Sequence, residues 1–195
     1  AGHLGVRCRR FVADDAHNDT VVAAIIHEFA DAVYSYEWTP SQLACLVSHR
    51  RLLRRAESTL PPTSVLLVLE DDAAPNPSLS SASHALRTVL AAWPSDADVV
   101  FLGHCDALPT PGMHNPEPHL VRGAAHCTHA YATTRAGASA MLRVLDGAVQ
   151  SLDEEWRRAC SQGTLVCYLA VFPEAGEAGV FVQRGWSSDT SPVSQ

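Results

Sequence analysis

Three consecutive carboxylates, Glu70, Asp71 and Asp72, directly follow five apolar residues, Val65–Leu69. Two carboxylates about 4 Å apart repel each other by roughly 4 kcal/mol at an effective dielectric constant near 20, so solvent or a cation must offset the repulsion. Along an extended chain, alternation predicts Glu70 and Asp72 on one side and Asp71 on the other. Carboxylate oxygens suit Mn²⁺ or Mg²⁺, which also binds phosphates. The alternative is a solvated acidic turn in which Asp71 or Asp72 caps the next element.

Composition bounds the possible functions. The chain has 195 residues, enough for one domain with a substantial core. Its net charge of −7 argues against a nucleic-acid partner. We find no apolar run long enough to span a membrane. The chain begins at Ala1 without a signal segment, and we expect processing or truncation to have removed its start.

Six cysteines are scattered along the chain without a C-x-x-C pair, which excludes zinc-ribbon spacing. Cys45 and Cys167 lie in apolar patterns and are predicted to be small buried hydrophobic residues. An even cysteine count does not prove disulfides. The compartment therefore stays open between the cytoplasm and the lumen of the secretory pathway.

Helical and extended patterns alternate along the chain. Helices are predicted after the cap at Asn18, with apolar positions up to Phe29 and Val33, and after Thr39, where a threonine cap, a proline and Gln42 form a capping box. The run Val65–Leu69 predicts a strand covered on both faces, as in parallel sheets. A helix over residues 86–93 and a strand over residues 98–102 follow.

The second half of the chain continues the alternation. Residues 103–119 contain four prolines (Pro109, Pro111, Pro116 and Pro118) and are predicted to form a long surface loop. We expect residues 120–133 to be extended, residues 136–146 to be helical with Gly147 as C-cap, residues 153–161 to be helical up to Gly163, and residues 164–172 to form a last strand. This order predicts an α/β fold with a mostly parallel sheet flanked by helices.

Six segments, in the same order, resemble glycosyltransferase family 25, the lipopolysaccharide and collagen β-galactosyltransferase group. They span roughly residues 39–192 and read TPSQLACLVSHRRLLRRAES, VLLVLEDDAAPNP, DADVVFLG, HCTHAYATTRAGASAML, LDEEW and SSDT. The resemblance implies a GT-A-like (Rossmann-like) fold and inverting transfer of a sugar, such as galactose, from a UDP-sugar to a hydroxyl of a glycan or protein acceptor. It also implies Mn²⁺ (or Mg²⁺) as the cofactor.

The resemblance also assigns roles to individual residues. Glu70 and Asp72 are expected to bind the metal and the donor diphosphate, and Asp71 is grouped with the donor-binding residues. Asp153 is expected to be the base that takes the proton of the acceptor hydroxyl; its alternative is an acid favoured by the helix dipole. Asp189 is expected to contact metal or donor, with a solvated tail residue as the alternative.

Several polar residues have weaker assignments. Ser48 and His49 match a Ser-His pair of the family and are expected near the donor, although a helix-packing role for His49 is equally compatible with the pattern. As neighbours on a helix they do not face each other, so they do not form a nucleophile pair. His126 and His129 are predicted on opposite faces of a strand, which argues against zinc.

Family members normally begin with a strand that holds the nucleotide base. This chain opens with AGHLGVRCRRFVADD, which is similar to the segment after that strand. We therefore expect residues 1–195 to form a single glycosyltransferase-like domain without its first strand. Two further functions stay open: another divalent-metal enzyme acting on phosphates, and an inactive module that binds a glycan or a protein.

Overall fold

The structure, a computed structural model, describes residues 9–28, 38–110, 117–146, 148–175 and 179–184. Its helices are α1 Asp19–Glu28, α2 Pro40–Thr59, α3 Ala82–Ala91, α4 Arg135–Leu145 and α5 Leu152–Gln162. Its strands are β1 Val65–Leu69, β2 Ala73–Pro75, β3 Val99–Pro109, β4 Leu120–Thr134, β5 Cys167–Ala170 and β6 Phe181–Gln183. A 3₁₀ turn covers Pro173–Ala175.

Four strands form the main sheet in the order β1-β4-β3-β5, flanked by helices, so the α/β prediction is confirmed. The prediction of a mostly parallel sheet is wrong, because the sheet is mixed. Strand β4 runs antiparallel to β1 and β3, and only β3 and β5 pair in parallel. It follows that β1, β3 and β5 share one direction and end at the same side of the sheet.

Strand β1 corrects the expectation of a strand covered on both faces. It lies at the edge of the sheet formed by the described residues and pairs with β4 alone. Val65 and Leu69 are each 37% exposed, and Val68 is the one buried residue of the strand. The short apolar run therefore predicted a strand, but it did not predict how many strands would pair with it.

Residues 103–119 also differ from the predicted surface loop. Strand β3 continues to Pro109 and pairs with β4 through three register shifts. The backbone pairing with β4 outweighs the local preference of a proline-rich segment, and Pro109 is tolerated because it stands at the last position of the strand. Pro111 and Pro116 lie outside the described residues.

The helix predictions hold where local chemistry is strong. Helix α2 has the full capping box, with Thr39 and Gln42 bonding each other's backbone N–H groups. Helix α5 ends at Gly163, whose φ of 73° is the left-handed conformation that glycine favours. Helix α4 ends with Asp146 as its C-cap. The predicted C-cap Gly147 and the helix positions Phe29 and Val33 lie outside the described residues.

Helices cover both faces of the sheet. Alternate residues of β3 separate the two faces: Phe101 packs with the large buried side chains of α2, α4 and α5, whereas Leu102 packs with Leu86 and Val89 of α3. Trp156 of α5 is fully buried in the first of these clusters. Among the helices of the described residues, none is both long and apolar enough to cross a membrane.

Two disulfides connect elements of the sheet. Cys105 of β3 is bonded to Cys127 of β4, and Cys160 at the end of α5 is bonded to Cys167 of β5. Cys167 is buried, as predicted, but it is a bridge and not a simple hydrophobic residue. Cys45 is a free, half-buried thiol.

Replacing Gly137 by alanine should destabilise the fold. A Cβ atom there would lie 2.0 Å from the carbonyl oxygen of Asp98 and 2.5 Å from Oγ1 of Thr133. Alanine gains about 1 kcal/mol in helix propensity, but overpacking against rigid backbone costs more, so we expect a net loss of about 2 kcal/mol in the free energy of unfolding. Urea denaturation measures it, with exposed Arg135→Ala as the control; equal stability of the two variants would contradict the packing argument.

Candidate functional site

A cleft of about 400 Å³ opens beside the end of β1, where β3 and β4 pair irregularly. Three carboxylates and two imidazoles line it together with amide and hydroxyl groups. Leu152 is the one large aliphatic side chain among the described lining residues. The lining residues are Gln42, Cys45, Glu70, Cys105, Asp106, His126, Cys127, Thr128, His129, Ser151, Leu152, Asp153 and Gln183. Of the predicted site residues, Glu70 and Asp153 meet here.

Irregular strand pairing creates the cleft. Asp106 and Cys127 have positive φ angles, 46° and 69°, beside register shifts between β3 and β4. Such bulges turn side chains out of the regular alternation of a strand. His126 and His129 consequently both line the cleft. Their rings contact different elements, His126 the Glu154 carboxylate of α5 and His129 the Phe181 carbonyl of β6, so their orientation to opposite faces stays a prediction.

Glu70 is held at the cleft by the sheet and by α2. Its backbone N–H donates to the carbonyl of His129, which extends the β1–β4 pairing by one residue. Its Oε1 accepts a hydrogen bond from Thr128 Oγ1 (2.7 Å) and lies 3.1 Å from His49 Nε2. Its Oε2 has no hydrogen-bond partner among the described residues, so one carboxylate oxygen stays free for a ligand.

His49 lies behind Glu70 in a buried aromatic group. Its Nδ1 is 3.0 Å from the Tyr131 hydroxyl, and its ring meets the edge of Trp156 at a centroid distance of 6.0 Å. Burial opposes the charged imidazole, but the neighbouring Tyr131, Cys45 and Glu70 together raise the pKa of His49 well above its ordinary value. His49 is therefore a buried cation that donates from both ring nitrogens. It does not line the cleft itself but contacts Glu70 and Cys45, which do.

The same pair fixes the charge of Glu70. Burial opposes ionisation of the carboxyl group, but the hydrogen bond and charge of His49, helped by the Thr128 hydroxyl, lower the pKa of Glu70. The shifts of the two partners agree in describing an ion pair. Burial also raises the pKa of Tyr131, which keeps its phenol neutral.

Asp71 and Asp72 lie in a turn that begins immediately after Glu70. The N–H of Ala73 donates to the carbonyl of Glu70, so strand alternation does not continue past β1. Asp71 is exposed. Asp72 Oδ2 accepts a 2.7 Å hydrogen bond from Gln183 Nε2, whereas its Oδ1 is buried without a partner. Asp72 is not among the residues that line the cleft, but it bonds Gln183, which is. The β2–β6 register places Gln183 opposite Ala73.

Asp153 stands in the first turn of α5 and lines the cleft. Its Oδ1 accepts hydrogen bonds from the Ser151 hydroxyl (2.7 Å) and from the N–H of Glu154 (3.1 Å). The loop before α5 is held by buried Glu155, whose Oε1 accepts from the N–H groups of Val149 and Gln150. Both readings of Asp153, a helix-start acid and a base, therefore fit its position.

One other predicted residue lies away from the cleft, and a second one is outside the part of the chain that the structure describes. Ser48 donates to the carbonyl of Ala44 and accepts a 2.8 Å hydrogen bond from the N–H of Asp14, so it ties α2 to the preceding segment and is not among the cleft-lining residues. Asp189 lies outside the described residues.

Sequence reasoning missed a second charged group at the cleft. His126 lies 2.8 Å from Oε1 of Glu154, and Arg157 donates twice to Oε2 of the same carboxylate. Burial opposes ionisation of Glu154, but these bonds lower its pKa. Asp106 and Gln183 were missed as well, because no local pattern distinguishes them from surface residues, and Gln42 was identified only as a capping residue of α2.

Comparison with known proteins adds no relative. Neither the protein-family models nor the curated proteins contain a match to this chain.

Replacing His49, the buried cation, should change the free energy of unfolding and the way it depends on pH. The contribution of the His49 charge to the free energy of unfolding is complete below the ordinary pKa of 6.5 and is lost as pH rises through the raised pKa of His49. The contribution of the Glu70 charge to the same free energy is complete above its ordinary pKa of 4.5 and is lost as pH falls through its lowered pKa. Because Glu70 is 27% exposed, we expect His49→Gln to cost about 3 kcal/mol, the low end for a broken buried pair.

The measurement is urea denaturation from acidic to alkaline pH in the presence of a chelator. Wild type should lose stability above about pH 6.5 as His49 deprotonates, and His49→Gln should lack that loss. Exposed His84→Gln is the matched control. Parallel pH profiles of wild type and His49→Gln would contradict the ion pair.

Proposed function

We propose that this protein is a metal-dependent, inverting glycosyltransferase that uses a nucleotide-sugar donor and a hydroxyl acceptor on a glycan or protein. One observation carries the proposal: Glu70 and Asp153, expected from sequence as a metal ligand and a base, stand in the wall of one acidic cleft. The ordered resemblance to glycosyltransferase family 25 and the GT-A-like fold it implies belong to the same proposal.

The oxygen chemistry of the cleft fits a hard divalent cation. Glu70 has a carboxylate oxygen without a partner among the described residues, and Oδ1 of Asp72 is buried without one. A buried, unpaired carboxylate oxygen is costly, and a cation would offset that cost. Glu70 and Asp72 would hold Mn²⁺ or Mg²⁺, which would offset the negative charge that builds on the departing diphosphate.

The charge of the wall also argues for a cation. Glu70, Asp106 and Asp153 would repel a donor diphosphate that arrived without one. The exposed Asp71 in the turn after β1 would interact with the metal–diphosphate unit from outside the wall. His49 does not touch substrate in this scheme, because it acts by fixing the position and charge of Glu70.

Asp153 supplies the base. Its carboxylate takes the proton of the acceptor hydroxyl while that oxygen bonds to the anomeric carbon and the bond from the anomeric carbon to the diphosphate breaks. The Ser151 hydroxyl and the N–H of Glu154 hold Oδ1 of Asp153, which orients the carboxylate. Gln42, Thr128 and Gln183 line the same cleft and offer amide and hydroxyl groups that suit a sugar.

A donor screen tests the reaction. UDP-galactose, UDP-glucose and other nucleotide sugars are incubated with the chain and candidate glycan or peptide acceptors, with Mn²⁺ or with EDTA, and released nucleoside diphosphate is measured. We expect release that depends on Mn²⁺ and is abolished by EDTA. Absence of both donor binding and diphosphate release would contradict the proposal. Phosphate release from simple nucleotides without sugar transfer would select a phosphohydrolase instead.

Replacing Asp153 by asparagine should separate catalysis from helix stabilisation. Loss of a general base lowers the rate by roughly 10²–10⁴-fold, so Asp153→Asn should lose transfer while keeping Mn²⁺ and donor affinity. Asp19→Asn is the matched control, since Asp19 is also an acid in the first turn of a helix. Equal activity of the two variants would leave Asp153 as a helix-start acid only.

Replacing Asp72 by asparagine tests the metal. We expect the Mn²⁺ concentration that gives half-maximal activity to rise by at least about tenfold, the effect typical of residues that support metal binding. The fold should persist, because the amide can still bond Gln183. Calorimetric titration with Mn²⁺ measures the same change without activity, and an unchanged affinity would remove Asp72 from the metal site.

A further inference from the structure

Three metal-binding side chains converge in the cleft wall at the irregular part of the sheet. One ligand atom each of Cys105, Cys127 and His129 lies within 4.8 Å of the other two. The two sulfurs are joined as a disulfide, and all three residues line the cleft. Two cysteines and a histidine are the ligand set of many zinc sites, and zinc prefers the soft sulfur and nitrogen atoms that Mn²⁺ does not.

His129 carries an independent sign of a ligand. Its side chain is almost fully buried (2% exposed), and its Nδ1 is buried without a hydrogen-bond partner in the part of the chain that the structure describes. Its Nε2 lies 3.4 Å from the carbonyl of Phe181, which orients the proton onto Nε2. The lone pair is then on Nδ1, and such a backbone carbonyl is the usual support for a metal-binding imidazole.

The backbone around His129 is shaped to hold the ring in place. A Cβ atom at Gly103 would lie 2.2 Å from Nε2 of His129, so only glycine leaves room for the imidazole there. The positive φ of Cys127 turns the strand so that residues 127 and 129 reach the same side as Cys105.

One ligand atom each of Cys45, His49 and Glu70 also lies within 4.8 Å of the other two, but these residues are a poorer ligand set. Both ring nitrogens of His49 are engaged, one by Tyr131 and one by Glu70. A metal there would have to displace the buried ion pair. The free nitrogen of His129 distinguishes the first group.

We propose that the reduced form of this protein binds Zn²⁺ through Cys105, Cys127 and His129, so that the cleft wall exchanges a disulfide for a zinc site. A dithiol reductant breaks the Cys105–Cys127 bond by thiol–disulfide exchange: its two thiols are oxidised to a disulfide and their protons pass to the cysteines. Zn²⁺ then replaces those two protons, since thiolates are the ligands. The fourth zinc position faces the cleft and takes water. This site does not depend on the proposed sugar transfer.

The test uses the full chain, oxidised or reduced with a phosphine under anaerobic conditions, and titrated with Zn²⁺ or with Co²⁺ as a spectroscopic probe. Because the proposed oxygen site at Glu70 and Asp72 can also take Zn²⁺ in either redox state, we expect one Zn²⁺ more per reduced chain than per oxidised chain. Bound Co²⁺ should show the visible bands of tetrahedral coordination and the near-ultraviolet sulfur-to-cobalt band. Equal zinc binding by the oxidised and reduced chains, or bound Co²⁺ without the sulfur-to-cobalt band in the reduced chain, overturns the proposal.

Paired variants locate the site. Cys105→Ser/Cys127→Ser should lose the zinc and the sulfur-to-cobalt band, whereas Cys160→Ser/Cys167→Ser, which removes the other disulfide, should keep both. His129→Gln should weaken zinc binding at least about tenfold. A sulfur-to-cobalt band that survives in Cys105→Ser/Cys127→Ser, or that is lost in Cys45→Ser, places the metal elsewhere and overturns the proposal.

Folding is followed separately by circular dichroism and thermal denaturation. Zn²⁺ should raise the Tm of the reduced wild type and of Cys160→Ser/Cys167→Ser, because a ligand that binds only the folded chain stabilises it. It should not raise that of Cys105→Ser/Cys127→Ser. A reduced wild-type chain that stays unfolded in the presence of Zn²⁺ also contradicts a preformed site.

Discussion

The contact between His49 and Glu70 connects four of the elements around the cleft: α2, the end of β1, β4 and α5. His49 extends from α2, bonds Glu70 at the end of β1, bonds Tyr131 of β4 and packs on Trp156 of α5, the helix that begins beside Asp153. Because this imidazole is buried and charged, it needs both partners at hydrogen-bond distance, and its position therefore determines where the end of β1, strand β4 and helix α5 meet. The geometry of the cleft depends on a residue that does not line it.

Charge is distributed in layers around that contact. Inside lies the cation of His49, which keeps Glu70 ionised, and outside lie the carboxylates of the wall, with Asp106 and Asp153 among them. A wall of this kind repels anions and attracts divalent cations, whereas its amides and hydroxyls suit neutral, hydroxylated ligands. Such selectivity fits the proposed metal-bridged sugar donor better than a free nucleotide.

Local chemistry made part of the fold predictable. The capping box at Thr39 and the glycine after α5 determine helix ends through contacts within a few residues. The direction of β4 was not predictable, since antiparallel and parallel neighbours both accept the apolar run of β1. In the site, the acids at Glu70 and Asp153 could be found from sequence. The presence of both His126 and His129 in the cleft wall could not, because it depends on the irregular pairing of β4 with β3 and the positive φ of Cys127.

The cleft, the disulfide and the bulges coincide for one physical reason. Register shifts between β3 and β4 interrupt the regular ladder of hydrogen bonds, which opens space for side chains but weakens the pairing. The Cys105–Cys127 bridge crosses this weakened stretch and closes a chain segment with a sequence separation of 22 residues, a constraint worth about 3 kcal/mol in loop entropy. A metal bound by the same two sulfurs and His129 would connect the same strands. Either connection preserves the irregular pairing, so the sheet keeps an open, polar cleft at the place where a regular sheet would have closed it.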